Sequence, residues 1–201
     1  MASDSERPMT FSEFLAWEQT QKRRHEFVDG VAKPIAFRTR AQDRIQRNLL
    51  IRAAERLAGS GCEPLGSNML VQAGIGSARY PDMTIDCGPY DPAAFIVTVP
   101  SVVFEILPDL SVALSFDWKV KFSDYEKTPS IRAYVMIAET DIQVFVYTRG
   151  SARRFSEPPR RLRQLSDVLE LPDVGLSMTL AEIYEGVGLG LPSAATSGTE
   201  A

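Results

Sequence analysis

Two acidic residues stand inside apolar, strand-like segments of this sequence, and a lysine follows them. Asp82 lies in segment 80–86, Glu105 lies in segment 101–107, and Lys121 comes shortly afterwards. A buried carboxylate without a partner is unfavourable, and two carboxylates that meet at the ends of neighbouring strands repel each other unless a cation lies between them. Oxygen ligands favour magnesium or manganese. If these segments are neighbouring strands, Asp82 and Glu105 can meet at one end, and then either one carboxyl stays protonated or a divalent cation lies between them.

Lys121 places a positive charge near this predicted site. A lysine beside a metal-bound water can orient it or help to deprotonate it, and can offset charge on a phosphate. Asp117 lies four residues earlier on the same face of a predicted helix, so an exposed Asp117–Lys121 ion pair is the alternative interpretation. Lys119 is a rival for the role, but on a helix it would point to another side.

The segment around Glu105 is almost wholly apolar. Within residues 101–107 only Ser101 and Glu105 are polar, which is typical of a central strand covered on both faces. The Glu105 side chain must then point into protein or into a pocket. For Asp82, the alternative to metal binding is a strand-end carboxylate that accepts backbone hydrogen bonds.

Local patterns predict the elements that must position these residues. Residues 10–13, Thr-Phe-Ser-Glu, form a capping box that begins a short helix ending near Gln21. Asp29-Gly30 predicts a hairpin between segments 25–28 and 31–35. A four-residue apolar repeat predicts a long helix over 39–58.

Further apolar segments predict a mixed sheet with helices, in the α/β or α+β class. The predicted strands span 63–72, 80–86, 101–107, 133–138 and 142–147, and the later helices span 116–127 and 180–187. The length predicts one domain over 10–187, between a loose tail at 1–9 and a disordered tail at 188–201.

Composition describes an ordinary globular chain, with 44% hydrophobic and 24% charged residues. The net charge of −4 argues against a protein that coats nucleic acid, but not against an enzyme that acts on it. From the polar, acidic N-terminal residues and the lack of a long apolar run we expect neither a signal peptide nor a membrane anchor. Cys62 and Cys87 are too few for a disulfide framework, so we expect free core cysteines and a reducing, cytoplasmic compartment.

Most of the basic residues are arginines, and arginine suits phosphate. One set lies on the polar surface of the predicted long helix, and a second set surrounds Pro158-Pro159. Either set is a solvated surface or a phosphate-contacting one. From the first set we name Arg40, Arg44 and Arg47 as candidate DNA contacts. The sole histidine, His25, is interpreted as structural, because one histidine forms neither a serine-protease triad nor a histidine-based zinc site.

Several short motifs follow one another at characteristic separations. They are His25-Glu26-Phe27-Val28-Asp29-Gly30, Arg79-Tyr80-Pro81-Asp82, Phe104-Glu105-Ile106-Leu107, Asp117 with Lys121 and Tyr125, Pro129-Ser130-Ile131-Arg132-Ala133-Tyr134, and Leu180-Ala181-Glu182-Ile183-Tyr184. In this order, the stretch from residue 25 to residue 187 resembles the Uma-two family of restriction endonucleases, a branch of the PD-(D/E)xK nuclease superfamily.

The resemblance implies a restriction-endonuclease-like mixed β-sheet flanked by helices and a magnesium (or manganese) cofactor. Asp82 and Glu105 would be the two metal ligands, and Lys121 would be the catalytic lysine, carried by a helix. Glu26 would be an additional N-terminal acid. A homodimer is expected from the same resemblance.

These inferences lead to two hypotheses of function. The first is a metal-dependent endonuclease that hydrolyses phosphodiester bonds in DNA. The second is a catalytically inactive nuclease-fold module that binds nucleic acid or a protein partner. The turn after Glu105, Pro108-Asp109-Leu110-Ser111, departs from the family's usual pattern and motivates the second hypothesis.

Overall fold

The computed structural model describes residues 7–74, 76–108, 116–150 and 153–189, with the side chains of residues 116 and 117 left aside. The helices are α1 (Phe11–Glu18), α2 (Arg40–Leu57), α3 (Phe116–Glu126) and α4 (Leu180–Ile183), and Pro172–Val174 forms a 3-10 turn. The strands are β1 (His25–Val28), β2 (Val31–Pro34), β3 (Glu63–Gly66), β4 (Val71–Gln72), β5 (Ala78–Arg79), β6 (Met83–Asp86), β7 (Pro100–Leu107), β8 (Ala133–Ala138), β9 (Val144–Thr148), β10 (Arg160–Leu162), β11 (Val168–Leu171) and β12 (Leu176–Thr179).

A mixed six-stranded sheet in the order β10-β9-β8-β7-β6-β3 forms the centre of the fold. Its β7 and β8 run parallel, and its other neighbouring strands run antiparallel. A smaller sheet has the order β2-β1-β5-β4, and β11 pairs with β12. The predicted mixed sheet with flanking helices is confirmed.

Helices cover both faces of the central sheet. Apolar residues of α2 such as Ile45 and Leu49 pack on one face, in a cluster that includes Phe104 of β7. Tyr125 of α3 packs on the other face, in a cluster that includes Val103. Successive residues of a strand point to opposite faces, so β7 is buried on both sides and all eight of its residues are buried. The predicted central strand around Glu105 is confirmed.

The small sheet forms a third layer with α1. Phe14 of α1 stacks on Phe27 of β1, with ring centroids 4.8 Å apart. Asp29 and Gly30 both have positive φ, at 49° and 84°, as a tight hairpin turn requires. Met9 is buried against this layer and donates a backbone hydrogen bond to the Gly30 carbonyl at 2.8 Å.

Most local predictions are confirmed within one or two residues. Thr10 caps α1 in a capping box, and α2 begins after a capping box at Thr39. Two predicted strands differ from the structure in extent. Segment 63–72 divides between the two sheets because residues 66–69 form a turn, in which Met69 N–H donates to the Gly66 carbonyl at 3.2 Å. Segment 80–86 forms one strand only over Met83–Asp86, and the residues before it include Pro81, which has no N–H to donate to a ladder.

The expectation of free cysteines is also wrong. Cys62 and Cys87 are joined by a disulfide, with their Cα atoms 4.1 Å apart. The cause lies in strand register: β3 and β6 are antiparallel partners, and their terminal pair is Glu63 and Asp86. The two cysteines are the next residues beyond that pair and therefore face each other across the strands.

Some predictions concern residues outside the described parts of the chain. These are residues 1–6 of the expected N-terminal tail, residues 190–201 of the expected C-terminal tail, most of the altered turn after Glu105, and the side chain of Asp117. Within the described ranges, the structure contains no helix of the length and hydrophobicity that a membrane span requires.

Candidate active site

The two predicted metal ligands lie at neighbouring positions of adjacent strands. Met83 of β6 pairs with Phe104 of β7 in the antiparallel ladder, so Asp82 and Glu105 are the next residues across the same two strands. The backbone N–H of Ile106 donates a hydrogen bond to the Asp82 side-chain carboxylate, which links the residue before β6 to β7. The structure therefore brings both residues to the same end of the strand pair. The sequence predicted that they could meet there.

Glu105 binds two side chains of α3. Its Oε1 accepts hydrogen bonds from Lys121 Nζ at 3.0 Å and from the Tyr125 hydroxyl at 2.8 Å. Glu105 is only 4% exposed, and this burial raises the pKa of its carboxyl group, an effect that Lys121 offsets only in part. Burial likewise raises the pKa of Tyr125, with a further contribution from Glu105, so the phenol remains a hydrogen-bond donor.

Lys121 connects Glu105 to Glu26 of the small sheet. Its ammonium nitrogen lies 3.1 Å from Glu26 Oε1 and 3.0 Å from Glu105 Oε1. Burial by itself would lower the pKa of Lys121, but the two carboxylates outweigh it and raise that pKa. For Glu26, burial acts to raise the pKa, and the attraction of Lys121 and then Arg79 lowers it. One ammonium group is thus shared between carboxylates from two different sheets.

A buried arginine extends this network to the far side of Glu26. Arg79 of β5 places Nη1 3.0 Å from Glu26 Oε2 and Nη2 2.6 Å from Asp124 Oδ2 on α3. The side chains of Arg79 and Asp124 are 5% and 4% exposed. Arg79 therefore holds α3 and the small sheet together beside Lys121, and it fixes the orientation of the Glu26 carboxylate.

Asp82 is neutralised by a residue that the sequence analysis did not single out. The guanidinium Nη1 of Arg38, in the loop before α2, contacts Asp82 Oδ1. Arg38 Nε and Nη2 are buried and have no hydrogen-bond partner in the described structure. Burial lowers the pKa of Arg38, while the carboxylates of Asp43, Glu105 and Glu139 act in the opposite direction. Arg38 thus brings unused N–H donors to the same end of the sheet.

A cavity of about 260 Å³ lies beside this charged network, between the small sheet and α3. It is lined by Glu26, Val28, Asp29, Lys33, Pro34, Arg79, Trp118, Val120 and Lys121. The Lys121 ammonium lies 4.9 Å from the centre of the Trp118 ring, which is a cation–π contact. Two of the predicted catalytic residues, Glu26 and Lys121, therefore face an open space that a ligand can enter.

Other residues that the sequence analysis considered lie away from this cavity. Lys119 is exposed on α3. His25 Nδ1 lies 3.0 Å from Glu18 Oε2, and its ring packs edge-on against Trp17. Of the predicted DNA contacts, Arg40 and Arg47 are exposed and Arg44 is half-buried on α2, which covers the face of the sheet opposite α3. Their role in binding DNA stays a prediction.

The donor set can accommodate a hard divalent cation. Among the described residues there is no group of three or more histidine, cysteine, aspartate or glutamate side chains placed to hold a metal. Magnesium is often held by only one or two carboxylates, with water and substrate phosphate completing its shell. Within the described structure, Glu105 Oε2 accepts no hydrogen bond, and Asp82 approaches from the adjacent strand. If Arg38 moved away from Asp82, the two carboxylates would match the number that this mode of binding uses.

Sequence reasoning assigned no role to Arg38, Arg79 or Asp124. One signal was available for Arg79, which is an arginine in an otherwise strand-like segment close to Asp82. Asp124 lies three residues beyond Lys121, a helical spacing that places both on one side of α3. Arg38 stands in a loop and carries no comparable pattern.

Comparisons with known proteins show the family and the fold of this chain. The model of the Uma2 family, described as "Putative restriction endonuclease", matches residues 11–181. The "Uncharacterized protein slr1290" of Synechocystis sp. is 28% identical over 178 residues, covering 87% of this chain and 90% of that protein. The crystal structure of a "putative nuclease belonging to DUF820" from Anabaena variabilis aligns with a TM-score of 0.71 at 16% identity, covering 90% of this chain and 99% of that one. The last likeness shows a shared fold.

Proposed function

The chain belongs to the Uma2 family, whose model is described as "Putative restriction endonuclease", and we propose that it is a metal-dependent endonuclease that hydrolyses phosphodiester bonds in DNA. The observation that carries the proposal is the position of Lys121. Its ammonium lies within 3.1 Å of both Glu105 and Glu26, beside the strand end that bears Asp82. Glu26 and Lys121 line a cavity there, and the buried Glu105 lies behind them, hydrogen-bonded to Lys121.

Asp82 and Glu105 would hold a magnesium or manganese ion. A bound ion of this kind supplies Lewis acidity toward phosphate oxygens and makes a neighbouring water a better nucleophile. Lys121 offers a second positive charge for the negative charge that accumulates on the phosphate during the reaction. Glu26 keeps Lys121 in place from one side, and Tyr125 fixes Glu105 from another.

Arg38 has two possible positions relative to the acids. In the described arrangement it neutralises Asp82. If an ion were held by Asp82, the guanidinium would move away from that carboxylate, and Nη1 would join Nε and Nη2 as N–H donors for a phosphate oxygen. Arg38 would thereby exchange one anionic partner for another without leaving the site.

Two finer features of the proposal, DNA rather than RNA as substrate and a homodimer, come from the family resemblance. A third, phosphate contacts from Arg40, Arg44 and Arg47, comes from the arginines on the surface of α2. Cations on exposed side chains of α2 suit backbone contacts, which position DNA without reading its sequence.

Calorimetric titration with magnesium and with manganese tests the metal site. Wild-type protein should bind the ion with millimolar or tighter affinity, and Asp82→Ala and Glu105→Ala should each abolish the binding heat. Asp91→Asn removes an exposed carboxylate at the opposite end of β6 and serves as the matched control, which should bind as wild type does. No binding heat at millimolar metal in the wild-type protein would refute the proposed site.

A plasmid-nicking assay tests the chemistry. Nicking should require magnesium or manganese and should fall at least about a hundredfold in Lys121→Met, because the charge opposite the phosphate is lost. Circular dichroism of the variant controls for folding. Equal nicking by wild type and Lys121→Met removes Lys121 from the proposed mechanism.

A second candidate function is the inactive nuclease-fold module. The contact between Arg38 and Asp82 favours it, because the fold then neutralises that acid with its own arginine and needs no metal. Such a module would bind nucleic acid or a protein partner without cutting. Metal titration separates the two functions, since the module gives no binding heat.

A further inference from the structure

The loop between β2 and α2 exposes a large aromatic ring beside the candidate active site. Phe37 is 87% exposed, and the residue after it is Arg38, whose guanidinium contacts Asp82. A single exposed apolar side chain is ordinary on a protein surface. The position of Phe37 is what distinguishes it, because it lies next in sequence to a residue of the site.

Aromatic rings paired with cations surround the same end of the sheet. Each of these rings has a positively charged side chain within about 5 Å of its centre. The pairs are Arg23 with Phe37 at 4.7 Å, Arg24 with Tyr80 at 5.1 Å, and Lys121 with Trp118 at 4.9 Å. We call this set the aromatic rim.

A backbone hydrogen bond joins two parts of the aromatic rim. Ile35 N–H donates to the Arg24 carbonyl at 3.1 Å, so the loop that carries Arg23 and Arg24 is tied to the loop that carries Phe37. Tyr80 lies between β5 and β6, two residues before Asp82, and Trp118 of α3 lines the cavity that contains Lys121. The rim therefore borders the site along three loops and a helix.

This combination matches the chemistry of unpaired nucleic acid. A base stacks on an aromatic face, arginines beside the ring take the backbone phosphates, and every base has a face to offer. In a duplex the base faces are covered by their neighbours, so a protruding ring finds nothing to stack on. Arg23 covers Phe37 from one side, and an exposure of 87% leaves the remaining ring surface to a ligand.

We infer that the aromatic rim binds single-stranded nucleic acid, with a base stacked on Phe37 and adjoining phosphates on Arg23 and Arg24. This inference rests on the proposed function, because it assigns the substrate class of the same site. The unpaired strand would then approach Asp82 from the Phe37 side. A substrate with an unpaired region near the cut would be preferred over continuous duplex.

Fluorescence anisotropy without divalent metal tests the inference, since binding is then measured while nothing is cut. The probes are a labelled single-stranded DNA, the RNA of the same sequence, and the matched DNA duplex. Full-length wild-type protein should bind the single-stranded probes more tightly than the duplex. Phe37→Ala should weaken single-strand binding at least about fivefold, with little effect on the duplex. The RNA and DNA arms show which backbone is preferred.

Two further variants make the result specific to stacking. Tyr90 is 77% exposed in the loop that follows the opposite end of β6, so Tyr90→Ala removes a comparable ring away from the site and should bind as wild type does. Phe37→Trp keeps a stacking surface and should retain single-strand affinity, and its fluorescence should be quenched when a base covers it. Because Phe37 is exposed, neither change at position 37 threatens folding.

The possible outcomes separate this inference from the proposed function. Equal affinity for single strand and duplex, or an unchanged affinity in Phe37→Ala, overturns the inference even if the protein nicks DNA. Single-strand binding that depends on Phe37, in a protein that binds no metal and cuts nothing, supports the inference and refutes the nuclease. An absence of binding to all three probes overturns the inference, and a protein partner becomes the ligand to seek.

Discussion

Replacing Arg79 by methionine should destabilise the protein more than replacing any exposed arginine. Arg79 forms ion pairs with Glu26 at 3.0 Å and with Asp124 at 2.6 Å, and its side chain is only 5% exposed. Methionine fills a similar volume but leaves both carboxylates without this partner. A buried charge whose partner is removed is strongly unfavourable, because the protein cannot solvate it as water does.

The size of the expected stability loss depends on which ion-pair partners each carboxylate keeps. Glu26 is 14% exposed and keeps Lys121 at 3.1 Å, so its loss is moderate. Asp124 is 4% exposed and keeps only Lys127 among the described ion pairs, at 3.6 Å on a side chain that is 63% exposed. Most of the penalty therefore falls on Asp124. Breaking a buried pair in this way costs about 3–5 kcal/mol of unfolding free energy.

Urea unfolding followed by circular dichroism measures the loss, with the slope of the transition checked for constancy. Arg52→Met is the matched control. Arg52 pairs with Glu55, Glu182 and Glu185, but it is 33% exposed, so its loss should destabilise the protein much less than the loss of Arg79 does. The double variant Arg79→Met/Asp124→Asn also removes the unpaired Asp124 charge, so its unfolding free energy should be about 1–3 kcal/mol higher than that of Arg79→Met.

Two results would refute this reasoning. The first is a cost of Arg79→Met no larger than that of Arg52→Met, which would mean that the buried network is already well solvated. The second is simple additivity in the double variant, which would mean that Asp124 does not depend on Arg79.

Two further predictions concern stability alone. Reduction of the Cys62–Cys87 disulfide, whose cysteines are 25 residues apart, should lower the unfolding free energy by about 3 kcal/mol, and a Cys62→Ser/Cys87→Ser variant should not respond to reductant in urea unfolding. The pKa of Glu182 is lowered because the Thr179 backbone N–H donates to its carboxylate and Arg56 pairs with it. A lowered folded-state pKa stabilises the fold above the unfolded-state pKa, and this contribution is lost as the pH falls through the folded-state value. Glu182→Gln should therefore be less stable than wild type at pH 7, and thermal melts should show the difference vanishing as the pH falls through the lowered folded-state pKa of Glu182.

The sequence by itself determined the elements whose signals lie within a few residues of one another. The capping box at Thr10 marks the start of α1, and Asp29-Gly30 marks the hairpin. The apolar run around Glu105 is enough to predict a central strand with a buried acid, because burial on both faces leaves no polar face in the pattern. These signals are readable because turns, caps and strand periodicity depend on local backbone geometry and side-chain solvation.

Tertiary structure alone decided which charged groups meet. Arg79 pairs with Glu26, which is 53 residues away in the sequence, and with Asp124, which is 45 residues away. Arg38 contacts Asp82 from a loop. The pairing of Cys62 with Cys87 depends on the register of β3 against β6. None of these contacts produces a periodic pattern in the sequence, because each joins residues that only the order and packing of the sheets bring together. The sequence named the carboxylates and the lysine of the candidate site, and the fold supplied the arginines that hold them.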